Sequence, residues 1–381
     1  MKQLVQRGRD GELRVIDVPV PQIGPRELLV RVAYSAVSVG TEGAKMDFAR
    51  SNLLAKARRR PDLVRSVLDG VGRDGLKATV GKVRTRLDEW TTMGYSASGR
   101  VERAGAEVTG FAVGDRVACG GDQASHGDYI AVPHRLCSAL PEGASLEDAA
   151  YATIASVAMH GVRQADAGLG ATVVVAGLGL IGQITCRLLR AGGCEVLAFD
   201  PSAERRAAVE ALGVAAFDPT AELSRQHVEQ RTNGRGADAL VVTAASRDES
   251  LLTDYAQLVR DRGRIVVVGN VLVQIDRELM YRRELELRIA RSYGPGRYDP
   301  EYEQGGHDYP AGYVRWTEQR NAESVLHLLA TGALNFDGLT GATFALDDAG
   351  DAYRASSAAS GAPGVLFRYE GADAEPAEPA A

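Results

Sequence analysis

The stretch "TVVVAGLGLIGQITCRLLRAGGCEVLAFD", Thr172 to Asp200, restricts the fold more than any other part of the chain. A β-branched apolar run ends in Gly177, Gly179 and Gly182, spaced G-x-G-x-x-G, and passes directly into helical spacing. In such a turn the first glycine permits the tight reversal and the second lets backbone approach a pyrophosphate. The third lets the helix pack on its sheet. The first helical turn, with Leu180 and Ile181, presents free N–H groups and a positive dipole end to phosphates. Asp200 closes the next run, where a carboxylate accepts hydrogen bonds from both hydroxyls of an adenine ribose and repels a 2′-phosphate. The pattern predicts NAD, and the nearby Arg205 and Arg206 keep NADP open.

This seat begins almost halfway along 381 residues, a length that accommodates two domains. Before it, "ELLVRVAYSAVSVG", "SGRVERAGAEVTGFAVGDRVACGG" and "GDYIAVP" read as short strands broken by glycines, a barrel-like β region. A helical, basic stretch over 49–90 interrupts it, with Leu63, Val64, Val67 and Leu68 at helical spacing. That stretch reads either as a solvated face or as a basic lip for an anionic substrate or partner. After the seat, strands at 172–176 and 195–200 alternate with helices at 180–191 and 202–212. "ADALVVTAA", a helix around "LLTDYAQLVRDRG", "RIVVVG" and a strand within 285–291 follow. Such alternation predicts a parallel sheet. Beyond Ser292 comes a loop dense in Gly, Pro and Tyr, then a helix at about 320–331 and a low-complexity tail expected to be disordered.

Bulk properties remove several classes of function. A net charge of −6 gives no general signature of nucleic-acid binding. The first twenty residues lack the apolar core of a signal peptide, and no apolar run is long enough to span a bilayer. Cys119, Cys137, Cys186 and Cys194 form no C-x-x-C pair, which points to a reducing, cytoplasmic setting without a disulfide framework.

A β-rich domain, a nucleotide domain and a return, with "VTGFAVGDRV" at Val108 to Val117, resemble the medium-chain dehydrogenase/reductase superfamily. The phrases "ARRRPDLVRSVLDGV", "MGYSASGRV", "GLGLIGQ" and "RSYGPGRYDPEYEQGGHDYPAGYVRWTEQRN" resemble the dehydrogenase half of bacterial bi-domain oxidoreductases. Those proteins occur with sugar or polysaccharide biosynthesis and carry a second nucleotide-binding unit that this sequence does not match. The resemblance implies an α/β fold: a GroES-like β-rich catalytic domain plus a Rossmann doubly wound parallel sheet. The expected division is 1–158 catalytic, 159–292 Rossmann, 293–370 return and 371–381 tail. It also implies a homo-oligomer. Thr243, Gly269 and Ser292 follow strands of the parallel sheet and are expected near the nicotinamide.

Zinc members of this family bind the metal through a Cys, the His of a G-H-E motif, and a further Cys or Glu. Here the first position falls on Ser38 or Val39, the second on Tyr95, with Ser96 after it, and the third near Ile154. Zinc takes nitrogen, sulfur or carboxylate ligands, so the expectation is a zinc-free enzyme. Hydroxyl donors must then steady the oxygen at which charge develops. Tyr95 is either that donor or a core aromatic filling vacated space. Thr41 lies in the turn that holds a relay hydroxyl in related enzymes, with Ser38 the alternative and Glu42 the acid that follows. His126, in "QASHGDYIAVP", is the candidate acid/base. The expected activity is NAD(H)-linked oxidation or reduction at an alcohol or carbonyl of a sugar-like or cyclitol-like small molecule. Rivals are a zinc-free enoyl or quinone reductase acting on C=C, and an idle NAD-binding subunit.

Overall fold

The computed structural model describes residues 1–51, 64, 65, 67, 69, 72, 73, 75–357 and 360–371. Leu63, Leu68 and the expected disordered tail beyond Gly371 lie outside the described residues.

The first sheet is small and antiparallel: β1 (Lys2–Arg7) lies between β2 (Leu13–Asp17) and β4 (Trp90–Thr92). The second is built on β3 (Glu27–Val37), the long strand of the β-rich half. Its partner on one side is β5 (Ser96–Ala104), followed by β6 (Arg116–Gly120) and β8 (Cys137–Ala139). Its other side is shared. β7 (Tyr129–Pro133) covers the first half, and β16 (Gly364–Arg368), carrying β15 (Thr340–Phe344), covers the second. The last strand of the chain is thus hydrogen-bonded to one of the first.

Between β3 and β4 the chain forms α1 (Ala44–Arg50) and α2 (Leu76–Asp88), the described helices of the basic stretch. Val64 and Val67 are about one-third exposed.

The third sheet is parallel. Its strands are β9 (Thr172–Ala176), β10 (Glu195–Phe199), β11 (Ala215–Phe217), β12 (Ala237–Val242), β13 (Val259–Val267) and β14 (Glu286–Ile289). Their order in space is β11-β10-β9-β12-β13-β14. Every residue of β9 is buried, as a strand covered on both faces requires. The order reverses between β9 and β12, and a crevice opens there at the carboxyl ends of the strands, the place such sheets bind ligands.

One expected helix is shorter than its sequence spacing implies. "LLTDYAQLVRDRG" is helical only over Leu251–Ala256, and β13 already begins at Val259. The β-branched Val259 pairs with Ala237, the register then shifts, and Arg262 takes a positive φ of 60° before the strand resumes. Sheet pairing overrides the local helical pattern here.

Three packed helices join the halves. α3 (Ala152–Ala165) packs on α4 (Leu180–Ala191), the helix that follows the glycine-rich turn, and on α5 (Glu318–Ala330). Ile154, Ala155, Ala158, Ile184 and Leu188 share one buried cluster with Tyr34, Tyr95 and Tyr293. Burying each of the larger aliphatic side chains contributes roughly 1.5–3 kcal/mol. The crevice and the tyrosines therefore belong to one packed body.

Candidate active site

A cleft of about 560 Å³ runs along the switch point. Gly177, Gly179, Leu180, Ile181, Asp200, Arg205 and Thr243 line its nucleotide end, and Ser38, Gly40 and Ile154 line the end facing the β-rich half. Gly182 shows why the turn needs glycine: a Cβ there would run into the Gly177 carbonyl oxygen. Gly179 has open space around its α-carbon, so backbone there is accessible to a phosphate group. The Thr243 hydroxyl donates to the Gly177 carbonyl at 2.6 Å and ties the turn to β12.

Asp200 accepts from the Leu178 amide at 2.7 Å and the Ser202 amide at 2.8 Å, one bond per carboxylate oxygen, leaving further acceptor capacity. Arg205 comes within 3.8 Å of it and lines the cleft, whereas Arg206 is turned to Asp218 at 3.2 Å. Gly269 and Ser292, expected beside the nicotinamide, do not line this cleft. Gly269 is packed under the backbone of Thr243 and Ala244, and Ser292 turns the chain at φ 51°.

At the other end, a π-helical turn (Val39–Gly43) follows β3 and brings Ser38, Thr41 and Glu42 together. Tyr95 donates to the Ser38 hydroxyl at 2.9 Å and is also hydrogen-bonded to Thr41, which is exposed. Burial raises the Tyr95 pKa above its ordinary value although both bonds oppose this, so the ring stays a phenol. With Tyr95 donating to its oxygen, the Ser38 O–H is left free to point into the cleft.

Glu42 is wholly buried. One carboxylate oxygen accepts from the Ser38 amide at 2.8 Å, and the other meets the Tyr353 hydroxyl and His126 Nε2, the latter at 3.1 Å. His126 Nδ1 pairs with the Ser35 hydroxyl at 2.7 Å, and Ser35 with Tyr369 at 2.8 Å. His126 is therefore not an acid/base facing the substrate. Its ring has no exposed surface and both nitrogens are engaged, with the edge of Phe367 against it. Gly94 lies flat against that ring at φ 93°, where a Cβ would approach it to 2.8 Å. The histidine reaches the cleft only through Glu42, which fixes the backbone of Ser38. Ser35, Tyr353 and Tyr369 were missed from sequence. Tyr353 and Tyr369 stand far from this turn in the chain, Ser35 lies just before it on β3, and none carries a motif of its own.

Burial works to raise the Glu42 pKa. The His126 charge and the hydrogen bonds from His126, Tyr353 and Ser38 outweigh it, and the carboxyl sits below its ordinary value. A depressed carboxyl contributes stability above its unfolded pKa of about 4.3 and loses it as the pH falls through the lower folded value. Glu42→Gln, which breaks a buried pair, is expected to cost about 3–5 kcal/mol at neutral pH. The gap from wild type should narrow below about pH 4. Urea unfolding at both pH values measures this, and a gap that does not change with pH would refute the linkage.

Residues 63–166 match the alcohol dehydrogenase GroES-like domain family, and residues 181–304 match the zinc-binding dehydrogenase family. Over 248 residues the chain is 30% identical to a 2-dehydro-3-deoxy-L-galactonate 5-dehydrogenase of Pseudoalteromonas atlantica, covering 58% of this chain and 72% of that protein. It is 29% identical to the D-guloside 3-dehydrogenase of Escherichia coli, covering 65% and 68%. The crystal structure of galactitol-1-phosphate dehydrogenase from Escherichia coli superposes with a TM-score of 0.73 at 17% identity, over 97% of this chain and all of that one, and so shares its fold. The chain belongs to the zinc-type medium-chain dehydrogenase/reductase superfamily, whose members are NAD(P)-dependent oxidoreductases. These two relatives are named as dehydrogenases of a sugar acid and of a sugar glycoside.

The family's two groups fit this chain differently. The glycine-rich turn, Asp200 and the open backbone at Gly179 fit a dinucleotide. The family's zinc does not fit its usual place, where a hydroxyl pair on Ser38 and Tyr95 stands beside the aliphatic Ile154. Among the described residues no three His, Cys, Asp or Glu side chains converge as a metal site.

Proposed function

We propose that this protein is a zinc-independent, NAD(H)-linked dehydrogenase/reductase acting at an alcohol or carbonyl of a sugar-like or cyclitol-like substrate. The observation that carries the reading is the Ser38 hydroxyl. It lines the nucleotide cleft, backed by a buried tyrosine, in the turn where the resemblance puts a metal ligand on Ser38 or Val39. Bound NAD supplies the acceptor, and NADH the donor, of hydride.

Ser38 donates a hydrogen bond to the substrate oxygen and steadies the charge that develops on it. Tyr95 holds Ser38 in that orientation and strengthens it as a donor. The exposed Thr41 connects Tyr95 to solvent and gives the proton a way in or out. Glu42, His126 and Tyr353 hold the turn still from behind. Asp200 favours NAD over NADP, and Arg205 beside it still admits NADP as the weaker cofactor.

A screen of polyols, sugars, cyclitols and enones, following NADH and NADPH in parallel, tests this. The expected result is alcohol oxidation with NAD that persists in chelator, by a protein purified without stoichiometric zinc. Retained zinc with activity lost on chelation would refute the metal-free reading. Activity confined to enones would refute the alcohol reading.

A further inference from the structure

The loop after β14 builds a second polar cluster against the tyrosines of the site. Tyr293 stacks nearly parallel on Tyr95, with centroids 6.4 Å apart and planes 9° apart. Arg297 lies over the Tyr293 ring at 5.0 Å and over Tyr298 at 4.2 Å. Its guanidinium is buried, and Nη1 donates to the buried Glu303 at 2.8 Å. The opposite edge, Nε with Nη2, is the side-on fork that grips a flat oxyanion with two bonds. In this protein that fork is unfilled. Nε is buried with no hydrogen-bond partner, and Nη2 has only Asp122 at 3.5 Å, a side chain 79% exposed.

Glu318, whose amide donates to the Pro295 carbonyl of the same loop at 2.8 Å, is 3% exposed, with neither carboxylate oxygen hydrogen-bonded. Burial and the neighbouring Glu303 push its pKa to about 9, against the pull of Arg297 and Arg291. It is therefore a neutral acid at pH 7 and does not compete as an anion for Arg297. Tyr293 stacks on Tyr95, and Tyr95 donates to the cleft-lining Ser38, so the cluster stands behind that end of the cleft.

Resting on the dehydrogenase reading above, we propose that the Nε–Nη2 edge of Arg297 anchors an oxyanion carried by the substrate. The substrate class is then a polyol or sugar bearing a carboxylate or a phosphate, and the loose Asp122 carboxylate marks where that group binds.

The test uses the full chain loaded with NAD and matched sets of polyols, aldonates and polyol phosphates of four to six carbons. Both kcat/KM and calorimetric binding are measured. At least one oxyanion-bearing set is expected to exceed its neutral polyol by about tenfold or more, the gain of roughly one charge-assisted hydrogen bond. Preference for aldonates or for phosphates identifies the source of the oxyanion. Arg297→Lys, which keeps charge and loses the fork, should cut the acid-to-polyol ratio about tenfold, mainly through KM. Asp122→Asn, at an exposed position, should raise that ratio by removing a competing carboxylate. Glu318→Gln should leave Tm within about 4 °C of wild type. A larger fall would make Glu318 the structural counter-ion of Arg297 and overturn the anchor. Equal or better handling of neutral polyols overturns it too, yet leaves the dehydrogenase standing. Binding of aldonates without any alcohol turnover keeps the anchor and removes the dehydrogenase reading.

Discussion

Gly182→Ala is expected to weaken dinucleotide binding, raising the NADH Kd by about tenfold or more, the equivalent of roughly 1–3 kcal/mol of overpacking at the turn. The added methyl would collide with the Gly177 carbonyl oxygen and approach the Thr243 hydroxyl to 2.8 Å. Neither can yield cheaply. The carbonyl is part of the tight turn, and Thr243 is hydrogen-bonded to that same oxygen. The start of α4 must then tilt off the sheet, and its amide groups leave the place where the pyrophosphate would meet them. Overpacking of this kind also costs stability, about 1–3 kcal/mol. Quenching of protein fluorescence by NADH measures the first effect and thermal unfolding the second. Unchanged NADH affinity in a folded variant would mean that the dinucleotide does not use this turn.

Ser38→Ala is expected to lower kcat for alcohol oxidation by about 100- to 1,000-fold, the range for removing one hydrogen-bond donor from a developing oxyanion. The cofactor Kd should scarcely move, because Ser38 lies at the opposite end of the cleft from Asp200 and the glycine turn. Tyr95→Phe should cost less, since Tyr95 acts by donating to the Ser38 oxygen. In the double variant the losses should not add, because the two side chains work as one unit. Steady-state kinetics of the four proteins gives the cycle. Strict additivity would separate the two residues, and an unaltered kcat in Ser38→Ala would move the oxygen-handling group elsewhere.

The nucleotide half was legible because its chemistry is local. Gly177, Gly179, Gly182 and Asp200 fall within one βαβ unit, and glycine spacing with a terminal acid leaves few other uses. The hydroxyl pair was partly legible through resemblance, which puts metal-ligand positions on Tyr95 and on either Ser38 or Val39. What stayed hidden depends on distant parts of the chain. His126 looked like a proton exchanger because nothing near it in sequence shows that Ser35, Glu42 and Phe367 enclose it. Arg297 lies in a loop whose polar residues look alike in the sequence, and Glu318 merely opens α5. Only burial separates the exposed Asp122 from the sealed Glu318. The β13 error has the same origin, because pairing with β12 and not local spacing decided where Val259 went.

The clamp behind Ser38 also has an order of assembly. Ser35, Glu42 and His126 leave the ribosome early, but the Tyr353 hydroxyl that bonds Glu42 and the Tyr369 hydroxyl that bonds Ser35 arrive with the last described helix and just after the last described strand. At roughly 5–20 residues per second, the interval is on the order of tens of seconds. During it the nascent β-rich half must either keep these polar groups wet or hold them incompletely paired. Its second sheet also waits with the edge of β3 open, and the arriving carboxyl end of the chain closes both at once.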